Sequence, residues 1–175
     1  MRRTRFKSLY RLSEIMKKKV RKSKNKFWIF VLCLAIVFIA ALIGGLFTDT
    51  GAWYEKIKPS ITPPNYVFPI VWNILFFLIA LSLFFSWINA DKKQKKSVMI
   101  IFGLNLIFNI LWSVFYFGLK NVSLAFLDLI LIWISIIAMI KIAWKIDRKA
   151  SLLLVPYLLW VSFAGVLNYL SLGMV

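Results

Sequence analysis

The sequence predicts an all-α membrane protein, a bundle of five transmembrane helices with the N-terminus inside and the C-terminus outside. Three observations carry this. The 175 residues are 62% hydrophobic and 17% aromatic, whereas a soluble domain is nearer about half apolar. The apolar residues come in blocks matching the roughly 20 residues that cross a bilayer as a helix. Finally, 20 of the 23 Lys and Arg fall on one side of a strictly alternating five-span arrangement and 3 on the other, the asymmetry that sets topology in membrane proteins.

The formal charge of +17 follows the same pattern and is no nucleic-acid signal. Twelve basic residues lie in 1–26 and most others in two short loops, where they favour anionic lipid. No polar segment is long enough for a nucleic-acid domain, so no nucleic-acid partner is expected. There is one cysteine, Cys33, and no histidine. An intrachain disulfide is excluded. The usual general base, transition-metal ligand and proximal haem ligand are missing, and no cofactor or metal site is expected.

Residues 1–26 form a basic tail. Phe6, Leu9, Tyr10, Leu12 and Ile15 fit one side of a helix resting on the membrane, or an unstructured tail that fixes orientation. Residues 27–175 form the transmembrane domain. Its first span, 27–47, carries no charge, and Ala40, Ala41, Gly44 and Gly45 make two overlapping small-xxx-small pairs that let another helix approach closely. Loop 48–65 holds Trp53, Tyr54, Pro59, Pro63 and Pro64. Proline fixes φ and restricts the residue before it, so this connection is stiff. It leads into span 66–90, with Pro69 near the first turn and Phe68, Trp72 and Phe76 at i, i+4 and i+8. A stiff aromatic loop feeding an aromatic helix face reads as the lid and wall of a pocket, or as an interfacial aromatic belt.

The loop Asp91–Lys96 precedes span 97–119. There Asn105, Asn109 and Trp112 share a face, either to meet a ligand or to clamp helices. Span 122–140 carries Asp128, with Ser135 two turns on. Asp128 reads as a proton or substrate site or as an acid holding helices together. The second is favoured, because a proton path normally needs several titratable groups. Span 151–172 contains Pro156, expected as a bend, and places Trp160, Ala164 and Leu167 or Asn168 on one face. Ala164 and Gly165 fit either close helix packing or a slot for a flat ligand.

Three blocks, WYEKIKPSITPPNYVFPIVWNIL (53–75), NLIFNILWSVFYFGLKNVSLAFLDLILIW (105–133) and PYLLWVSFAGVLNY (156–169), combine tryptophan, proline and asparagine at definite offsets. In order, they resemble the tryptophan-rich sensory protein family, also called the translocator or peripheral benzodiazepine receptor family, over about 45–172. The resemblance implies a five-helix bundle, usually a homodimer, whose pocket is closed by the first loop and takes porphyrins, some sterols and synthetic aromatic ligands. Carried onto this chain it assigns ligand contact to Trp53, Trp72, Asn105, Asn109, Trp160 and Ala164, alongside Phe68 and Leu167 on the same faces. Mammalian members carry a sterol pattern ending in Lys or Arg after helix 5. Here Val166, Leu167 and Tyr169 are followed by SLGMV, so sterol binding by that route is not expected.

The function expected is binding of a porphyrin or related flat apolar ligand inside the bundle, for sensing or tetrapyrrole handling. Without histidine, metal-free porphyrin should bind at least as well as haem. The alternatives are light-dependent porphyrin degradation, with Trp72 and Trp160 as oxidisable groups, and transport of tetrapyrroles or lipids. No nucleophile–base pair or phosphate loop supports other enzyme chemistry. The Lys- and Ile-rich composition points to a bacterial cell membrane.

Overall fold

The computed structural model describes residues 2–174, with side chains from Lys24 onward. It is an all-α bundle, with no strand among the described residues. The helices are α1 (Arg2–Gly45), α2 (Ala52–Ile57), α3 (Val67–Asn89), α4 (Lys92–Ser113), α5 (Val122–Trp144), α6 (Arg148–Leu152) and α7 (Val155–Ser171). A π turn, Val114–Gly118, prolongs α4, and a 3₁₀ turn, Leu172–Met174, follows α7. Five segments are long and apolar enough to cross a membrane, namely Lys24–Gly45, Val67–Asn89, Lys92–Gly118, Val122–Trp144 and Arg148–Met174. What the apolar side chains of the basic tail face lies outside the described residues.

Local chemistry sets the helix ends, and it moves three of the expected boundaries. Asp91 to Lys96, expected as a loop, is mostly the first turn of α4. Asp91 Oδ1 accepts from the Gln94 backbone N–H at 2.8 Å and Gln94 Oε1 accepts from the Asp91 N–H at 2.9 Å, a capping box that starts the helix among the lysines. The helix expected over 122–140 continues to Trp144. Pro156 does not bend a continuous helix. The chain breaks between Leu152 and Val155, and proline sits in the first turn of α7, where its missing N–H leaves no helical bond unmade.

The connection between α4 and α5 is equally compact. The π turn ends with Leu119 N–H on Val114 O at 2.7 Å, Lys120 takes a φ of 51°, and Asn121 caps α5 by accepting from Leu124 N–H at 2.9 Å. The extra residue of the π turn brings Tyr116 and Phe117 inward together, and both are buried.

Solid packing fills the half of the bundle away from α2. Val37, Ile79, Phe102, Ile136, Met139 and Leu154 are fully or almost fully buried there, and Phe30 meets Phe84 edge-on at 5.4 Å. At that end Asn89 donates to Asp147 at 2.7 Å, tying α3 to the cap of α6. The outer faces expose Leu32, Ile39, Leu127, Ile134 and Leu159, the surface a bilayer covers. Gly44 answers the small-residue motif of α1. A Cβ on it would meet Ser113 Oγ at 3.4 Å and Ile110 Cα at 3.8 Å, so α1 lies close against α4, whereas Gly45 has nothing within 4 Å.

Candidate functional site

The half of the bundle beside α2 is hollow. A cavity of about 540 Å³ is bounded by α1, α3, α4, α5, α7 and the α1–α3 connection, within the roughly 300–1,000 Å³ of small-molecule sites. Aromatic rings dominate its walls. Phe68, Trp72 and Phe76 enter from α3, Trp112 and Tyr116 from α4 and its π turn, and Trp160 from α7. Trp72 stacks on Phe76, centroids 5.3 Å apart and planes at 29°, and Trp112 stacks on Tyr116 at 5.0 Å and 21°. Phe68 meets Trp160 edge-on at 5.8 Å, closing the seam between α3 and α7.

Two hydrogen-bond networks hold these walls. In the deeper one, Asn105 donates to Ser135 Oγ at 2.8 Å. Asn109 Nδ2 donates to Tyr157 Oη at 2.6 Å and to the Asn105 carbonyl at 2.8 Å, and Tyr157 donates to Asn105 Oδ1 at 3.2 Å. This joins α4, α5 and α7. In the shallower one, Trp112 Nε1 donates to Asn168 Oδ1 at 3.0 Å, Asn168 Nδ2 to Val122 O at 3.1 Å, and Tyr116 Oη pairs with Ser171 Oγ at 3.2 Å. Two polar atoms on the walls are left over, Thr62 Oγ1 on the connection and Trp160 Nε1 on α7. Each is buried without a hydrogen-bond partner among the described residues. A buried unsatisfied donor is destabilising by roughly 1–3 kcal/mol and is a ready contact for an acceptor on a ligand.

The cover is α2 with the prolines after it. Tyr54, Ile57 and Pro59 are buried, and Tyr54 packs on Phe117 at 5.8 Å. Glu55 pairs with Lys58 and accepts from Asn65 Nδ2 at 3.1 Å, and these two partners hold its carboxyl below the usual carboxylate range. The Tyr54 phenol is pushed up to about 12, first by burial and then by the neighbouring Tyr116 and Glu55. The cover is thus a packed element, kept in a neutral-phenol state at ordinary pH.

Of the residues singled out in the sequence, Phe68, Trp72, Asn109, Trp160, Ala164 and Leu167 line the cavity. Trp53 and Asn105 are not on its wall. Trp53 packs outside it, edge-on to Tyr116 at 5.7 Å and under the Lys120 ammonium at 5.8 Å, while Tyr54, next in the chain, faces in. Asn105 lies fully buried behind Asn109. The two small residues of α7 face different ways. Ala164 lines the cavity, and a Cβ on Gly165 would press Leu129 of α5 at 3.2 Å. Asp128 is buried off the cavity wall, with Oδ2 unpartnered among the described residues. Tyr54, Tyr116 and Asn168 were not singled out as ligand contacts, although the inward aromatic run of α4 was a signal for Tyr116.

Comparisons with known proteins agree with this architecture. The model of the TspO/MBR family matches residues 30–172. The tryptophan-rich protein TspO of Chlorobaculum tepidum is 37% identical over 142 residues, covering 79% of this chain and 90% of the relative. The uncharacterized membrane protein YtaB of Bacillus subtilis is 39% identical over 142 residues, covering 81% and 90%. The translocator protein of Ovis aries is 30% identical over 121 residues, covering 67% and 71%. With five spanning helices and relatives of this kind, the protein is a multi-pass integral membrane protein. A family match across most of the chain, on a five-span bundle with an aromatic cavity under its first loop, establishes that the chain belongs to the TspO/MBR family.

Proposed function

We propose that this protein binds a porphyrin, or a comparably flat apolar molecule with a polar edge, in the aromatic cavity, and that binding serves sensing or handling of that ligand. The observation that supports this most directly is the pairing of Trp72 and Trp160 as cavity walls with the unpartnered Trp160 indole N–H. Rings on α3 and α7 can stack on a planar ligand, and burial of its apolar area supplies affinity at about 25 cal/mol per Å². Asn109 Nδ2 is already engaged by protein acceptors, so Asn109 offers a ligand its carbonyl oxygen. Trp160 offers a donor. The names of the relatives, tryptophan-rich sensory protein and translocator protein, fit such a role.

Titration of the detergent-purified protein with metal-free protoporphyrin should quench tryptophan fluorescence saturably, and Trp72→Phe/Trp160→Phe should weaken binding at least tenfold. Equal affinity in the double variant would refute the assignment. A second reading, light-dependent porphyrin degradation, draws support from both indoles facing the same cavity. Irradiation should then yield a product that an unrelated tryptophan-rich membrane protein does not give. For topology we infer an N-terminus on the cytoplasmic side, supported by the 20 to 3 division of basic residues. That orientation places α2 and the cover on the outer face.

A further inference from the structure

We propose that the cavity opens sideways to lipid, between the last turns of α1 and the first turns of α3, and that it takes amphiphiles dissolved in the bilayer rather than solutes from water. The inference rests on the ligand-binding reading above and adds the route and the class of ligand.

Every exposed residue on the cavity wall belongs to the C-terminal end of α1, the connection after it, or the N-terminal end of α3. Where an exposed residue also lines a cavity, the cavity meets the outside. At the end of α1 these are Leu42, 70% exposed, and, just past it, Leu46, 84% exposed. On α3 they are Pro69 and Asn73. Asn73 lies six residues inside the spanning segment Val67–Asn89, about 9 Å along the helix at 1.5 Å per residue. The mouth therefore reaches below the end of the spans, to the depth of acyl chains.

Thr48, Thr50 and Asn65 of the connection, exposed and on the wall, form the outer rim of the same opening, while the cover and the α3–α7 seam are packed. Above, α2 is held by the buried Tyr54 and Ile57 and by the Glu55–Lys58 pair. At the α3–α7 seam, Phe68 sits on Trp160 and Trp72 sits edge-on to Tyr157 at 6.3 Å. Entry through the cover or the seam must displace these contacts, whereas entry from the side need only turn Leu42 and Leu46, two flexible aliphatic chains.

The chemistry of the mouth fits an amphiphile. Asn73 is an amide on a lipid-facing surface, an unfavourable place for a polar group without a role. Its Nδ2 donates to Pro69 O of its own helix at 2.7 Å, which leaves its carbonyl oxygen as an acceptor at the rim. Behind that rim the walls are aromatic and aliphatic as far as the Trp160 indole. A molecule with an apolar plane and a polar edge would pass Asn73 at the rim and come to rest with that edge at the Trp160 indole N–H.

Gly45 supplies the test, since it lines the cavity and has open space beside it. Gly45→Trp should plug the mouth without disturbing the α1–α4 contact made by Gly44. In phosphatidylcholine vesicles preloaded with protoporphyrin, both the onset and the reversal of tryptophan quenching should slow at least tenfold. At fixed total porphyrin, the wild-type onset rate should track the porphyrin-to-lipid ratio. Unchanged rates in Gly45→Trp would overturn the proposal.

A second measurement needs no porphyrin. In a Cys33→Ala/Ala164→Cys background, a lipid-soluble pyrene maleimide should label the cavity cysteine, and Gly45→Trp should slow that at least tenfold. A charged, membrane-impermeant maleimide should label far more slowly. Fast labelling by the charged reagent would place the entrance at the cover and sink the idea. Labelling as expected without porphyrin binding would leave the side entrance standing and remove the porphyrin assignment instead.

Discussion

Asn109 on α4 donates to the Tyr157 hydroxyl on α7 at 2.6 Å, and this bond fixes the floor of the cavity. Asn109 also touches Asn105, which reaches on to Ser135 of α5. Three helices are therefore held at one level by polar groups, in a medium where packing of apolar side chains against lipid gives no net drive to associate.

The two asparagines should separate in mutation. Asn105 is fully buried and bridges α4 to α5, so Asn105→Ala should lower stability by roughly 1–2 kcal/mol, at the upper end of intramembrane hydrogen bonds, with a smaller effect on ligand affinity. Asn109 lines the cavity, so Asn109→Ala should weaken protoporphyrin binding severalfold and cost less stability. Unfolding in mixed micelles and fluorescence titration read the two quantities. If both substitutions moved both quantities equally, the division into a supporting and a contacting amide would be wrong.

Gly44 and Gly45 should also part. Gly44 faces Ser113 and Ile110 at van der Waals distance, so Gly44→Leu forces α1 off α4, and overpacking of this kind typically costs about 1–3 kcal/mol. Gly45→Leu has open space and should fold as well as the wild type. Thermal unfolding in detergent checks the contrast, and equal melting temperatures would contradict the close α1–α4 approach.

These pairs show what the sequence made legible. Helical spacing correctly grouped Phe68 with Trp72 and Trp160 with Ala164, because angle around a helix follows directly from residue number. Depth does not. Asn105 and Asn109 share a face, yet one turn of rise separates a residue behind the wall from one on it. Trp53 and Tyr54 are adjacent on a six-residue helix. Which of them turns inward depends on how α2 docks on Tyr116 and Phe117, contacts more than 60 residues away in the chain. The Trp112–Asn168 bond joins residues 56 apart, and no local pattern announces it. The capping box at Asp91 is the opposite case: Asp and Gln three residues apart are a local signature, which the lysine run outweighed.

The Tyr54 phenol predicts alkaline loosening of the cover. An exposed tyrosine loses its proton near pH 10, and the packed phenol only near about 12. Between these values the lifted cover binds fewer protons than the closed one. The opening equilibrium therefore shifts by as much as tenfold per pH unit as pH rises through that window. Below pH 10 both states are neutral at this position and the effect is absent. Hydrogen exchange of residues 52–58 should accelerate from pH 10 to 12 beyond the intrinsic rate in the wild type, and Tyr54→Phe should remove the excess. An excess that persisted in Tyr54→Phe would assign it to another group.

Trp160→Phe should move binding and stability in opposite directions. The substitution keeps an aromatic wall beside Phe68 and deletes the one indole N–H that, among the described residues, is buried without a partner. In the empty protein that donor is a liability, so its removal should offset part of the lost ring contact and leave stability within about 1 kcal/mol of wild type. In the proposed complex it would meet the ligand acceptor, and a hydrogen bond to a charged acceptor contributes about 1.5–3 kcal/mol. Binding of protoporphyrin, whose carboxylates are such acceptors, should weaken by about 10- to 100-fold. A porphyrin without carboxylates should lose much less. Equal losses for the two ligands would mean that Trp160 acts through its ring area alone, and that the buried N–H plays no part in recognition.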